Sequence, residues 1–145
     1  MLTYDDVRAR LEQYRTFSFG QYEKAVGLSL IFVLVLRHPP TSSVNNHIFD
    51  VGGHPERDRI SAFVNPQGYL RLDVRDSNGL LHSARSVLPL EPNDYDTPHV
   101  VIFSVGVGDG FGFLSIEVDR KYRADIRIEN FPLAATDHYV LGSDL

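Results

Sequence analysis

The chain has 145 residues, 14 Lys and Arg against 19 Asp and Glu, a formal net charge of −5, and no cysteine. The acidic balance without a basic block disfavours nucleic acids and anionic membranes as partners, and the absence of cysteine excludes disulfides, thiolate nucleophiles and Cys-type zinc sites. With 43% hydrophobic residues, residues 1–145 are expected to form a single compact domain.

Residues 1–16 are predicted to contain the one helix, over 4–15. Thr3 can cap it, and its apolar face is formed by Val7, Leu11 and Tyr14. The same stretch lacks the basic and apolar regions of a signal peptide, so the chain as written is expected in the cytoplasm. No apolar run reaches the roughly 18 residues of a membrane span.

The most apolar run, Leu28 to Leu36, does not alternate between polar and apolar residues. A strand of this kind is expected to have both faces covered, whereas a two-sheet sandwich covers only one. The predicted helix is the first candidate for the outer cover. A second subunit is the alternative, because exposed apolar patches usually mark interfaces.

Residues 58–87 predict an antiparallel meander of three strands, over 58–65, 69–75 and 79–87. Leu70, Leu72 and Val74 alternate with charged residues, which gives each strand one wet and one buried face. Asn65-Pro66-Gln67-Gly68 and Asp76-Ser77-Asn78-Gly79 are typical turn sequences. Further strands are predicted at 28–37, 47–51, 98–105, 111–119, 122–129 and 138–142.

Several segments resemble the strands and turns of a concanavalin A-like lectin/glucanase, or laminin G-like, jelly-roll domain: 47–53, 58–64, 68–79, 114–119 and 139–144. The resemblance implies an all-β, antiparallel two-sheet jelly-roll sandwich over 17–145 behind the short N-terminal amphipathic helix. Such domains usually continue into a final strand beside the first one, so an open sheet edge is expected, which Thr16 to Gln21 or the helix would fill unless two copies pair there.

The expected function is a non-catalytic recognition module for a glycan or a protein ligand, with glycan binding through rim loops as the specific hypothesis. Its ligand-binding residues would be Asp94, Tyr95, Asp96, Asp109 and Phe111. No cofactor is required, but oxygen-rich loops suit calcium and laminin G-like domains often hold it at the rim. Those ligands would be Asn93, Asp94, Asp96 and Asp109. The absence of Trp weakens the lectin interpretation.

Two other functions are considered. One is a structural or assembly protein that forms a homo-oligomer through strand 28–36 or the open edge. The other is a glycoside hydrolase built on Glu117-Val118-Asp119, since carboxylates two apart on a strand share a face. Retaining hydrolysis needs a second carboxyl about 5 Å away, and the related glucanase motif ends in an acid that Arg120 to Arg123 do not supply. A hairpin turn is the preferred interpretation, and the chain is not expected to be an enzyme.

Overall fold

The computed structural model describes residues 20–22, 25–36, 44–52, 54–108, 110–134 and 139–141. The described residues form ten strands and one turn of 3-10 helix, at Pro92–Asp94. The strands are β1 Gly20–Tyr22, β2 Ala25–Val35, β3 Asn46–Val51, β4 Arg59–Val64, β5 Tyr69–Arg75, β6 Leu81–Pro89, β7 Pro98–Gly108, β8 Phe111–Val118, β9 Tyr122–Glu129 and β10 Tyr139–Leu141. The predicted helix at 4–15 lies outside the described residues.

The strands form two antiparallel sheets that pack face to face. The first sheet has the order β1-β2-β7-β8-β9, and the second has the order β10-β3-β4-β5-β6. The chain therefore changes sheet after β2, after β6 and after β9. The prediction of an all-β, two-sheet antiparallel sandwich is confirmed. Among the residues described, no helix has the length and apolar character needed to traverse a bilayer.

The core lies between the sheets and is built by alternation along each strand. β5 and β8 bury every second side chain, as the period of two requires. Phe49 of β3 and Phe103 of β7 are fully buried and stack across the interface with their ring centroids 3.7 Å apart. This stack joins β3 of the second sheet to β7, the central strand of the first.

Both predicted meander turns are present, and each is held by the side chain of its first residue. The Asn65 carboxamide oxygen accepts hydrogen bonds from the N–H groups of Gln67 and Tyr69. One Asp76 carboxylate oxygen accepts from Asn78 and Leu80. Each turn needs a glycine at a left-handed position, and Gly68 and Gly79 have φ of 85° and 81°.

β2 departs from the expectation that both of its faces are covered. Its inner face packs on the core through Leu30, Phe32 and Leu34. On the outer face, however, Ile31 and Val33 are 72% and 62% exposed. The helix predicted to cover this face lies outside the described residues. The run is therefore apolar on both faces, and its outer side chains Ile31 and Val33 are exposed.

Candidate functional site

The structure does not bring the predicted rim residues together. Asn93, Asp94 and Asp96 precede Pro98, where β7 begins, whereas Phe111 follows the end of β7 at Gly108. A regular strand of this length spans roughly 33 Å. The structure therefore separates Asn93, Asp94 and Asp96 from Phe111 by the length of β7. Asp109, the other residue predicted for the ligand and calcium sites, lies outside the described residues.

The Asp94 carboxylate is engaged within the protein. It accepts a hydrogen bond from the Tyr122 hydroxyl, and its Oδ2 accepts another from the Glu91 N–H at 2.7 Å. Lys121 adds a cation 3.8 Å from Oδ1. Burial would raise the pKa of Asp94, but these hydrogen bonds and charges outweigh it and hold the pKa below its usual value. This carboxylate ties the loop before β7 to β9.

Tyr95 does not present a ring on which a sugar could stack. Its side chain is only 7% exposed and belongs to the core. Burial and the neighbouring Asp94 carboxylate raise the pKa of the Tyr95 hydroxyl. Tyr95 therefore anchors the loop to the core, which is a common role of a buried aromatic side chain.

The most polar cluster in this region, which sequence reasoning missed, centres on His99 of β7. The ring Nδ1 lies 2.5 Å from Oδ2 of Asp119, and Nε2 contacts the Asp94 carbonyl oxygen. The Thr97 hydroxyl lies 3.2 Å from the same Nε2. The Asp119 carboxylate and the Asp94 carbonyl both stabilise the protonated ring, in which both nitrogens donate. Burial would lower the pKa of His99, but the hydrogen bonds to Asp119 and Asp94 outweigh it and raise the pKa.

Asp119 belongs to a turn rather than to a catalytic pair. Val118 pairs with Tyr122, and Asp119 and Arg120 between them have φ of 53° and 58°, the left-handed values of a tight hairpin turn. The Asp119 carboxylate accepts from His99 and from the Val100 N–H. The hairpin interpretation of this segment is confirmed, and Asp119 does not share a strand face with Glu117.

Phe111 is covered by a cation. The Arg127 guanidinium carbon lies 3.9 Å from the centroid of the Phe111 ring, where the ring quadrupole attracts the charge. The residue pairs with Glu129 across the β8–β9 hairpin. Phe111 is thus a half-buried strand residue at the end of the sandwich opposite Asp94.

The largest exposed apolar feature of the first sheet is formed by β2 and β7. In register, Ile31 faces Ile102, and Val33 faces Val100, which is 45% exposed. We call this surface the apolar face; it comprises Ile31, Val33, Val35, Val100 and Ile102. A hydrogen bond of 2.7 Å between the hydroxyls of Ser29 and Ser104 bounds it at one end.

Polar residues flank the apolar face on the next two strands. Ile102 pairs with Glu117 of β8, which in turn pairs with Arg123 of β9. An apolar patch with a charged border is the usual composition of a protein interaction surface. The outer face of the first sheet therefore changes from apolar on β7 to charged on β8 and β9.

Among the described strands, β2 also has an edge without a partner. β1 pairs with β2 only over residues 25–27, and β7 occupies the other side of β2 along its whole length. Among the described strands, none pairs with residues 28–35 on the side away from β7. The backbone N–H and C=O groups on that side are a template on which another strand can pair.

Comparisons with known proteins add no family to this picture: no protein-family model, curated protein or solved structure matches the chain. Within the described part of the chain, no group of three or more His, Asp or Glu side chains is arranged to hold a metal ion.

Proposed function

We propose that this protein is an assembly module that self-associates through the apolar face and the open edge of β2. The observation that carries the proposal is the exposure of Ile31 and Val33 on a strand whose outer edge has no partner among the described strands. Burial of these side chains by a second copy contributes about 25 cal/mol for each Å² of apolar surface removed from water.

Edge-to-edge pairing of two β2 strands completes the backbone hydrogen bonds of the edge and buries part of the surface of Ile31 and Val33 through lateral contact between the two copies. In an antiparallel arrangement with Phe32 opposite its own copy, Ile31 lies beside Val33 of the second copy, on the outer face. The apolar face then runs unbroken across the joint, and the unpaired backbone groups complete their hydrogen bonds. A two-fold axis through the Phe32 pair relates the subunits, so one surface serves both copies.

The rim-loop hypothesis for glycan binding has less support from the geometry. Tyr95 is buried, the Asp94 carboxylate is engaged with Tyr122 and Glu91, and Phe111 lies at the opposite end of β7.

The experiment is a measurement of mass in solution, by sedimentation or light scattering, from low to high micromolar concentration. We expect the native chain to form a dimer and the double variant Ile31→Lys/Val33→Lys to be a folded monomer, because charged side chains oppose edge pairing. Val87→Lys is the matched control, since Val87 is 87% exposed on β6, the edge strand of the other sheet. A native monomer at every concentration, or equal dissociation by the control, overturns the proposal.

A further inference from the structure

The second sheet carries a cleft at one end, between the loop that follows β3 and the loop that follows β5. Its volume is about 740 Å³, within the usual range for small-molecule sites. The lining is mostly polar and includes three arginines: His54, Pro55, Glu56, Arg57, Arg59, Arg75, Ser77, Asn78 and Gly79. We call it the arginine cleft.

Two of the three arginines lie directly opposite each other. Arg59 of β4 and Arg75 of β5 are registered partners, so their side chains leave the same face of the sheet at adjacent positions. Like charges placed in this way destabilise a sheet unless anions offset them. Asp50 offsets one of them, because the Arg59 Nε lies 2.9 Å and 3.1 Å from its two carboxylate oxygens.

The other cations of the cleft have no such partner. Neither Arg57 nor Arg75 forms an ion pair with a described residue, and the one contact of the Arg75 guanidinium is a 3.4 Å hydrogen bond to the Gly79 carbonyl. Both residues line the cleft, and each guanidinium has five N–H donors. The cleft lining therefore carries three arginines against one glutamate, Glu56, in a protein whose overall charge is negative.

The carboxylates around the cleft are already engaged. Asp58 accepts from the Ser77 hydroxyl at 2.5 Å and from the Ala134 N–H at 2.9 Å. Asp76 is buried and accepts from two turn N–H groups and from His82, 2.9 Å away. Although burial would raise its pKa, these bonds lower the pKa of Asp76, so it remains an anion occupied by its own turn. Glu56 is the one exposed acid of the lining.

Neutral donors complete the lining. The Nδ1 atom of His54 accepts from the Glu56 N–H at 3.1 Å, which leaves Nε2 as the donor of the neutral ring. The exposed Asn78 carboxamide lies at the tip of the β5–β6 turn. A lining of guanidinium, imidazole and amide donors matches an acceptor-rich ligand, because arginine binds carboxylate, sulfate and phosphate groups through paired N–H groups.

We propose that the arginine cleft binds a small polar ligand that carries a carboxylate, sulfate or phosphate group, with Arg57 and Arg75 holding the anion. The volume admits a sugar-sized molecule, and Asn78 and His54 lie where they can donate to its neutral oxygens. The cleft belongs to the second sheet and the apolar face to the first, so the two proposals succeed or fail independently.

The test is a titration of the full chain with sodium phosphate, sodium sulfate, sodium glucuronate and glucose, monitored by the backbone NMR chemical shifts. Sodium chloride keeps the ionic strength constant. We expect saturable shifts in residues 54–59 and 75–79 with at least one of the three anions and none with glucose. Tighter binding of glucuronate identifies a carboxylate ligand, and tighter binding of phosphate or sulfate identifies an ester.

Two cleft variants and a charge-matched control make the assignment specific. Arg75→Gln and Arg57→Gln should each weaken the binding roughly tenfold, the value of one charge-assisted hydrogen bond. Arg127→Gln removes the same charge from the first sheet and should leave the affinity within about twofold. Shifts that do not saturate with any anion, or equal weakening by Arg127→Gln, overturn the proposal.

Discussion

The outer faces of the two sheets differ although the same alternation produces both. On the second sheet, the outward side chains of Arg71, Asp73 and Ser83 form a network: the Arg71 Nη2 lies 3.0 Å from an Asp73 oxygen, and the Ser83 hydroxyl donates to the same oxygen at 2.7 Å. On the first sheet, β2 presents Ile31 and Val33 to solvent, and β7 presents Val100 beside them. Alternation thus determines which side chains enter the core, while the identity of the outward residues determines what each face does.

The largest effect on stability is expected from breaking the buried ion pair of the second sheet. The Asp50 side chain is fully buried and the Arg59 side chain is 19% exposed. Arg59→Leu leaves a buried carboxylate without its cation and should lower the free energy of unfolding by about 3 kcal/mol. Arg123→Leu, which removes the arginine of the exposed Arg123–Asp125 pair on the first sheet, should cost less than about 1 kcal/mol. Equal losses in urea unfolding would contradict the contrast.

The His99 cluster should make the end of the first sheet sensitive to pH. Because the pKa of His99 is raised on folding, its contribution is fully present below the unfolded value near 6.5 and is lost as the pH rises through the folded value. His99→Gln should therefore cost about 2 kcal/mol at pH 5.5 and less at pH 8.5.

The test is urea unfolding of the native protein and of His99→Gln between pH 5.5 and pH 8.5. The difference between their free energies of unfolding removes the contribution of the other histidines, which both proteins share. The pKa of Asp119 is lowered, chiefly by its hydrogen bond from His99 against the effect of burial, so its contribution is lost only as the pH falls below about 4. A cost for His99→Gln that does not change between pH 5.5 and pH 8.5 would contradict the raised pKa of His99.

A smaller effect is expected from the half-buried network of the second sheet. Asp73→Asn removes the anion that Arg71 and Ser83 share and should cost about 1 kcal/mol in the free energy of unfolding. Asp125→Asn is the control, because its ion pair with Arg123 is exposed on both sides. If the control costs as much as Asp73→Asn, the two outer faces do not differ in the way proposed.

The smallest effect is expected on the apolar face itself. Ile31→Thr in the dilute monomer should change the free energy of unfolding by less than about 0.5 kcal/mol, because an exposed side chain loses little on truncation. Ile116→Thr, at a fully buried position of β8, should cost at least about 2 kcal/mol. A large loss for Ile31→Thr below the dimerisation range would show that the monomer itself buries this residue.

The sequence predicted the meander well and the sites poorly, for a physical reason. β5 was predicted at its observed bounds, and both turns were identified from Asn65 and Asp76, because alternation and turn chemistry are local. The partner of His99 is twenty residues away, and the distance between Asp94 and Phe111 depends on β7 running unbroken between them. Such distances depend on how the strands pair and on which end of the sandwich each loop occupies. Neither property can be inferred from a local pattern in one sequence.

The pairing of β2 with β7 has a consequence for how the chain is made. The nearest registered residues, Val35 and Pro98, are 63 positions apart. At a synthesis rate of 5 to 20 residues per second, the ribosome needs about 3 to 13 s to add that length. During this interval the apolar run of β2 has emerged without the strand that later covers one of its edges. The strand proposed to join two finished subunits is therefore also the one most exposed to aggregation on the nascent chain.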